Sequence, residues 1–371
     1  MMKIFFKNQG EPTLKLFNLA KMLITGVIFM LVSMSSGAAT YYVTTSGLAK
    51  NPGTPGSPWS IAKAFSTAKA GDVVNIKGGN YGHLHLVVAN SGSSGLPITF
   101  QAQANTGTPT LNGVNWKEKG ISVSGKSYIT LKGLRVKNYQ YGIFFSNASH
   151  YATIDGCVAD SCCNTDFEKL GYDGYGISIT DGDHGKIKKC SATNNGGNNI
   201  FLSRSHYCTI LNCHAYCNQT VNNKFMTDYY IVLAWSSHNV VRNCTAEDIN
   251  GSYKGNHGII IKDNPGAGGS EAHSTDNLII NCTAKKLEEG FVIAHLAYNN
   301  RIDSCYVDNT GKKSTFNFCF QIREGAHDNT ISNCSGIAKT GGISVYDGTE
   351  GTNPQTQNKN LFVNCSIKGI L

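Results

Sequence analysis

The sequence predicts an all-β protein, a parallel β-helix, and three observations lead to that prediction. The first is a step that recurs along the chain, with an apolar residue three positions before a cysteine: Ile154/Cys157, Ile187/Cys190, Ile210/Cys213, Val241/Cys244, Ile279/Cys282, Ile302/Cys305, Ile331/Cys334 and Phe362/Cys365. The second is a run of alternating apolar and polar residues before each step, such as Phe291 and Ile293. Units of two short strands that repeat every roughly 20 to 40 residues indicate a solenoid.

The third observation is that the segments between these runs are short and rich in Gly, Asn and Ser, which leaves no room for crossover helices. Each strand therefore pairs with its equivalent one turn later, and equivalent side chains stack about 4.8 Å apart. Eight of the thirteen cysteines would then form a buried ladder of reduced thiols. Five asparagines would stack beside it at a tight turn: Asn212, Asn243, Asn281, Asn333 and Asn364. One or two disulfides are possible among the five other cysteines: Cys162, Cys163, Cys208, Cys217 and Cys319.

The first 39 residues are predicted to be a secretory signal. The apolar run from Met22 to Val32 follows Lys15 and Lys21 and precedes the small residues 35–39. A run of this length is too short to span a membrane comfortably, so cleavage near Ala38 or Ala39 is favoured over an anchor. The mature protein is therefore expected to be secreted or periplasmic, with no membrane association.

Residues 40–371 are predicted to form one β-helix domain. Its capping segment covers about residues 40–97, where apolar residues at helical spacing between Ser60 and Ala70 predict a short helix with Ser60 as its N-cap. A helix is expected here because it would cover the open end of the solenoid. Regular rungs are predicted from about residue 98 to 371.

Composition restricts the class of partner. The chain carries 15% charged residues and a net charge of +8 at pH 7, which suits an acidic polymer. No His and Cys spacing matches a zinc site, and nothing beyond the modest positive charge indicates nucleic-acid binding. A monomer is expected.

The opening stretch, YYVTTSG followed by GTPGSPWSIAKAFSTAKAGDVVNIKGGNY, resembles the N-terminal cap of secreted right-handed parallel β-helix proteins of the pectate-lyase-like superfamily. Together with the cysteine and asparagine rungs, it is most similar to family 9 polysaccharide lyases over most of residues 40–371. The resemblance implies a single-stranded right-handed β-helix, and it is more specific for the fold than for the reaction.

Ligands of such a solenoid are expected on the outer face of the first strand of each rung. Aligning the rungs on their first buried residue predicts which side chains line that face. Ionisable groups are densest in the rungs that begin at His257 and Glu289, which makes these rungs the candidate site.

The chemistry that this site suggests is β-elimination on a uronic-acid polymer, which needs a base and a group that neutralises the substrate carboxylate. Lys262, Arg323 and His257 are the catalytic candidates. Lys262 and Arg323 are expected to point into solvent, two rungs or about 10 Å apart. Four further residues are expected to bind substrate: Tyr229, Trp235, Arg204 and His295.

The resemblance also implies calcium, because the matching family rungs open with aspartates that hold it. Here those rungs read His257-Gly258 and Glu288-Glu289-Gly290, so one carboxylate is replaced and two are lengthened. Ca²⁺ is therefore predicted to be held by Glu288, Glu289 and Asp263.

Other functions and simpler explanations stay open. An epimerase would need similar groups. A polygalacturonase-type glycoside hydrolase is an alternative, since Asn164-Thr165-Asp166 and His257-Gly258 resemble two of its motifs, and a non-catalytic carbohydrate-binding protein is another. Lys262 could equally form an ion pair with Asp263, and Arg323 with Glu324, at the surface.

Overall fold

The computed structural model describes residues 37–114, 116–163, 174–219, 227–251, 256–263, 273–314, 317–346 and 359–369. Almost all of the predicted signal, the Asn164-Thr165-Asp166 motif and most of two predicted insertions (264–275 and 348–359) lie outside these residues. The described chain coils through successive turns that contribute strands to three parallel sheets. We name them sheets I, II and III, in the order in which each regular turn passes through them.

Sheet I contains ten described strands, and most of them have six residues. Its strands are Leu86–Val87, Lys119–Ser124, Tyr141–Ser146, Tyr175–Thr180, Asn198–Ser203, Tyr229–Ala234, His257–Lys262, Glu289–Ala294, Phe318–Arg323 and Gly341–Tyr346.

Sheets II and III contain twelve and eleven described strands. The strands of sheet II are Thr40–Val43, Val73–Ile76, Ile98–Ala102, Ile129–Lys132, Thr153–Asp155, Lys186–Lys188, Thr209–Leu211, Val240–Arg242, Leu278–Ile280, Arg301–Asp303, Thr330–Ser332 and Leu361–Val363. Those of sheet III are Gly79–Asn80, Pro109–Asn112, Arg135–Lys137, Val158–Asp160, Ser191–Thr193, His214–Cys217, Thr245–Asp248, Thr283–Lys285, Tyr306–Asp308, Ser335–Ala338 and Ser366–Gly369. The prediction of a parallel β-helix is confirmed.

The predicted capping helix is present as α1, Ile61–Thr67. The Ser60 hydroxyl accepts a hydrogen bond from the Lys63 backbone N–H, which satisfies one of the free donors at the start of the helix. The Phe65 ring stacks on Phe100 of sheet II at 4.1 Å between ring centres, and this contact seats the helix on the first rungs. Among the described residues, no helix is long and apolar enough to cross a membrane.

The cysteine ladder is confirmed. Seven of its eight thiols are buried and Cys365, in the last described rung, is half-buried. Backbone N–H groups donate along the ladder to the next sulfur, as from Cys213 to Cys244 and from Cys244 to Cys282, each at 3.4 Å. Among the cysteines outside the ladder, Cys162, Cys208 and Cys319 form no disulfide. The five asparagines expected at a tight turn lie there exposed, with φ between 52° and 54°.

A second ladder inside the solenoid was not predicted. Its five members are Asn239, Asn277, Asn300, Asn329 and Asn360. The Oδ1 atom of Asn300 accepts hydrogen bonds from the backbone N–H of Asn277 at 3.0 Å and from its Nδ2 at 2.9 Å. The Nδ2 atom of Asn300 donates to the carbonyl groups of Ser274 and Tyr298. These amides satisfy backbone groups of the bend between sheets I and II.

Candidate functional site

The outer face of sheet I carries the candidate site, and strand register determines which side chains meet there. Tyr229, His257 and Glu289 are paired neighbours on three successive strands. Lys262 lies at the other end of the middle strand, and Arg323 ends the strand two rungs further on. For these residues, the rung alignment made from the sequence agrees with the strand register of the structure.

Glu289 links the two basic groups at the centre of the site. Its Oε1 atom accepts a hydrogen bond from Arg323 Nη1 at 3.0 Å, and its Oε2 atom lies 3.1 Å from His257 Nε2. Arg323 Nη2 also lies 3.4 Å from His257 Nε2, while His257 Nδ1 lies 3.7 Å from an Asp228 carboxylate oxygen. Side chains that stand on separate turns thus form one connected cluster of charges.

A corner column extends this cluster on one side. His295 and Glu324 follow sheet I strands in neighbouring rungs, both with φ above 50°, and His295 Nδ1 lies 2.8 Å from Glu324 Oε2. Glu324 Oε1 lies 3.8 Å from Arg323 Nε. Burial alone would raise the pKa of Glu324, but the His295 hydrogen bond and the Arg323 charge together hold that pKa below its ordinary value.

Lys262 is held by an aromatic ring rather than by an ion pair. Its Nζ lies 4.2 Å from the centre of the Tyr229 ring, and that ring stacks on His257 at 4.6 Å. Burial is the largest influence on the pKa of Lys262 and lowers it; Asp228 opposes this shift and Arg323 adds to it. Lys262 is therefore easier to deprotonate than an exposed lysine.

The expectation that Lys262 and Arg323 point freely into solvent is wrong. Arg323 is only 15% exposed and Lys262 is half-buried, because neighbouring rungs pack against both side chains. The surface pair of Lys262 with Asp263 is not formed either. The Asp263 carboxylate instead accepts a hydrogen bond from the Ser274 backbone N–H and lies 2.7 Å from His273 Nδ1.

Several buried atoms of the cluster lack a hydrogen bond of good geometry: His257 Nδ1, Glu289 Oε2, Arg323 Nε and Glu324 Oε2. Two of these, Glu289 Oε2 and Glu324 Oε2, lie close to an imidazole nitrogen, so each has an electrostatic partner although the hydrogen-bond geometry is poor. Buried polar atoms left with spare donors or acceptors are costly unless a ligand or water completes them.

The carboxylates predicted to hold calcium do not fit a shared metal site as they are arranged. Glu289 is already neutralised by Arg323 and His257, and Asp263 is held by His273 and Ser274. Within the described part of the chain, no three His, Cys, Asp or Glu side chains are placed to hold a metal ion together. Calcium binding by Glu288, Glu289 and Asp263 stays a prediction from the sequence.

The residues predicted to bind substrate divide into two groups. Tyr229 and His295 belong to the cluster, and Trp235 packs beside it on an apolar patch that contains Val232 and Ile260. Arg204 lies further toward the N-terminus and forms an ion pair with Asp181, with Nη2 3.1 Å from Oδ2. The structure therefore does not bring Arg204 into the cluster.

Glu324 was not among the predicted site residues, although the rung alignment places it in the same outer column as His295. A signal was available in the sequence. His295 and Glu324 occupy the same corner position in successive rungs, and stacking at 4.8 Å places such residues in contact.

Comparison with known proteins identifies similar sequences and folds. A family model described as the Pel9A-like, right-handed beta helix region matches residues 41–249. The solved structure of pectate lyase Pel9A has a TM-score of 0.56 at 17% identity and covers 91% of this chain and 79% of its own. A rhamnogalacturonan lyase has a TM-score of 0.61 at 16% identity, covering 85% and 89%.

A GH136 lacto-N-biosidase from Eubacterium ramulus has a TM-score of 0.58 at 12% identity, with coverage of 90% and 68%. At these identities the solved structures show a shared fold, and their reactions include both elimination and hydrolysis. No curated protein sequence matches the chain.

Proposed function

The chain belongs to the Pel9A-like right-handed β-helix family, and on that premise we propose that it is a secreted polysaccharide lyase that cleaves an acidic, uronic-acid-containing polysaccharide by β-elimination. The observation that carries this proposal is Lys262, an amine with a lowered pKa on the outer face of sheet I, in the same cluster as a guanidinium. Elimination needs that combination of a base and a cation.

Each catalytic residue has a separate role in the proposed reaction. Neutral Lys262 removes the proton at C5 of the uronate, and the electron pair of that C–H bond forms the double bond between C4 and C5. The bond between C4 and the glycosidic oxygen breaks, and His257 supplies a proton to the leaving oxygen. The positive charge of Arg323 neutralises the substrate carboxylate. Neutralisation lowers the cost of negative charge that develops at C5.

The proposed acid and base have different surroundings. His257 lies between the carboxylates of Asp228 and Glu289, whereas Lys262 packs on the Tyr229 ring and its pKa is lowered by burial. An acid and a base in the same reaction require such different environments.

The test is incubation of the mature protein with polygalacturonate, alginate and a neutral glucan. Ultraviolet absorbance of the unsaturated product and the number of reducing ends are followed together. A lyase raises both signals on an acidic polymer. Lys262→Met is expected to lower turnover at least about a hundredfold, the scale of losing a general base.

Lys132→Met is the matched control, because Lys132 is exposed on sheet II, away from the cluster. It should leave turnover unchanged. Equal activity of Lys262→Met and the parent protein would refute the assignment of the base.

A glycoside hydrolase is the second candidate, and one observation favours it. The carboxylates of Asp228 and Glu289 both approach the His257 ring, so two acidic groups stand at the same point of the groove. Hydrolysis uses such a pair, one as acid and one as base or nucleophile. Reducing ends without ultraviolet absorbance, abolished by Asp228→Asn or Glu289→Gln, would select this function over elimination.

Export is part of the proposal and rests on the apolar run from Met22 to Val32. Secretion or delivery to the periplasm would bring the protein to polysaccharide outside the cytoplasm. N-terminal sequencing of the exported protein is expected to begin near residue 40. A mature chain that retains Met1 would contradict this.

A further inference from the structure

An ion pair is buried in the bend that leads from sheet III into the candidate site. The bend joins Thr245–Asp248 to His257–Lys262, and Asp248 at its start and Asn256 at its end are fully buried. Lys312 is buried with them, and its Nζ atom lies 3.0 Å from Asn256 Oδ1 and 3.7 Å from Asp248 Oδ2. An ammonium group is costly to bury, so filling space alone does not account for a lysine here.

Lys312 reaches this bend from a later turn of the solenoid. It lies in the connection that begins at Asn309, two turns after the bend that holds Asn256. The backbones of the two connections also meet, because the Lys313 N–H donates a hydrogen bond to the Gly251 carbonyl at 2.9 Å. Lys312 therefore links two turns across the one that lies between them.

The turn in between is tied to the same side chain. Asn256 Oδ1 accepts a hydrogen bond from the Glu288 backbone N–H at 2.9 Å, in addition to the one from Lys312. Asn256 immediately precedes His257, and Glu288 immediately precedes Glu289. A single oxygen atom, held by Lys312, thus joins the starts of the two strands whose side chains meet in the site, with His257 Nε2 3.1 Å from Glu289 Oε2.

The same bend two turns earlier uses a neutral side chain instead. Asn195 is fully buried there, accepts a hydrogen bond from the Cys162 backbone N–H at 2.9 Å and donates one to the Ala159 carbonyl at 3.3 Å. A neutral amide can therefore satisfy backbone groups of this bend, so their satisfaction alone does not require a lysine. The buried lysine belongs to the bend that leads directly to His257.

We propose that Lys312 is a positioning residue that sets the distance between His257 and Glu289. It acts through Asn256. Because the charge of Lys312 is balanced by Asp248, its hydrogen bond to Asn256 is charge-assisted and stronger than one between neutral groups. Such an anchor restricts movement of both strand starts, and small displacements of catalytic groups lower the rate steeply. The kinetic part of this inference rests on the proposed function, whereas the positioning itself does not.

The experiment uses Lys312→Met alone and in combination with Asp248→Asn. The single variant removes the cation beside a buried carboxylate and is expected to unfold at a lower temperature, whereas the double variant removes both charges and should regain most of that loss. Asn195→Ala is the matched control, because it removes a buried amide from the same bend while its bonds to Cys162 and Ala159 lead toward the N-terminal turns.

Two measurements on the full mature protein report on the site. The first is the nuclear magnetic resonance signal of the His257 ring in protein that contains isotope-labelled histidine, identified by its loss in His257→Gln. This signal should shift in both Lys312 variants and stay in place in Asn195→Ala. The second is turnover on polygalacturonate or alginate. The double variant should lose about tenfold or more in kcat with little change in KM, and Asn195→Ala should match the parent.

An unmoved ring signal in the double variant would overturn the proposal, because Lys312 would then only balance the charge of Asp248. An equal shift in Asn195→Ala would do the same, and a normal kcat beside a shifted signal would overturn the kinetic part. If neither Lys312 variant folds, Asn256→Ala tests the same link, with the same shift expected. If the wild-type protein cleaves neither polymer, the proposed reaction fails while the ring signal still decides the positioning.

Discussion

Asn300 is the residue on which a single substitution should test the internal asparagine ladder most sharply. Its side chain is fully buried, accepts two hydrogen bonds from Asn277 and donates to the carbonyl groups of Ser274 and Tyr298. Alanine at this position can replace none of them. The Asn277 backbone N–H and side-chain amide would then lose their shared acceptor inside the solenoid.

The expected cost follows from the Asn277 backbone N–H, since the Asn277 side-chain amide keeps its hydrogen bond to the Ser236 carbonyl. A buried polar group left without a partner lowers the free energy of unfolding by about 1–3 kcal/mol. That is at or above the typical effect of about 1 kcal/mol for a single substitution. Urea unfolding of Asn300→Ala, followed by circular dichroism, measures the loss.

Asn299→Gly is the matched control, since the neighbouring Asn299 is exposed with φ of 56° and glycine adopts that conformation freely. Its effect should stay within about 0.5 kcal/mol, as for ordinary surface changes. A loss below about 1 kcal/mol in Asn300→Ala, or equal losses in both variants, would show that the ladder does not stabilise the bends.

Four further outcomes are expected. Burial raises the pKa of the Cys157 thiol to about 12, so a thiol reagent should miss it in the native protein and label it after unfolding, while half-buried Cys365 should react first. Because neutral Lys262 is the active form and its pKa is lowered, turnover should rise with pH and level off below the ordinary range of lysine; a rate that falls over that range would contradict the role. Arg323→Lys should lower kcat/KM about tenfold or more, because an ammonium group cannot bind Glu289 and a substrate carboxylate as a planar fork does, and unchanged kinetics would exclude carboxylate neutralisation by Arg323. The pKa of Glu324 is lowered on folding, so its contribution to stability is present above the unfolded pKa and lost as pH falls through the folded one; Glu324→Gln should therefore lower the free energy of unfolding near neutral pH and make it fall less steeply on acidification, as a denaturation series at different pH values would show.

Much of the architecture could be predicted from the chain because the signals are local and repeated. Period-2 alternation identifies which side of a strand is buried, and the Ile-x-x-Cys step marks the same bend in successive turns. Once the rungs are aligned, stacking places Tyr229, His257 and Glu289 in one column without any knowledge of coordinates. Residues at equivalent positions of successive turns become neighbours although they are distant in the sequence. The repeat that relates them is visible in the sequence alone.

The contacts inside the site depend on the tertiary structure. Glu289 is 34 residues from Arg323, and His257 is 66 residues from it, yet the three side chains meet. The sequence alone indicated that Arg323 and Lys262 are exposed, whereas packing of neighbouring turns partly buries both side chains. The internal ladder through Asn300 was hidden for a related reason, since asparagine is also common in exposed turns. Burial and pKa are set by everything that packs around a group, and that surrounding exists only after the turns have stacked.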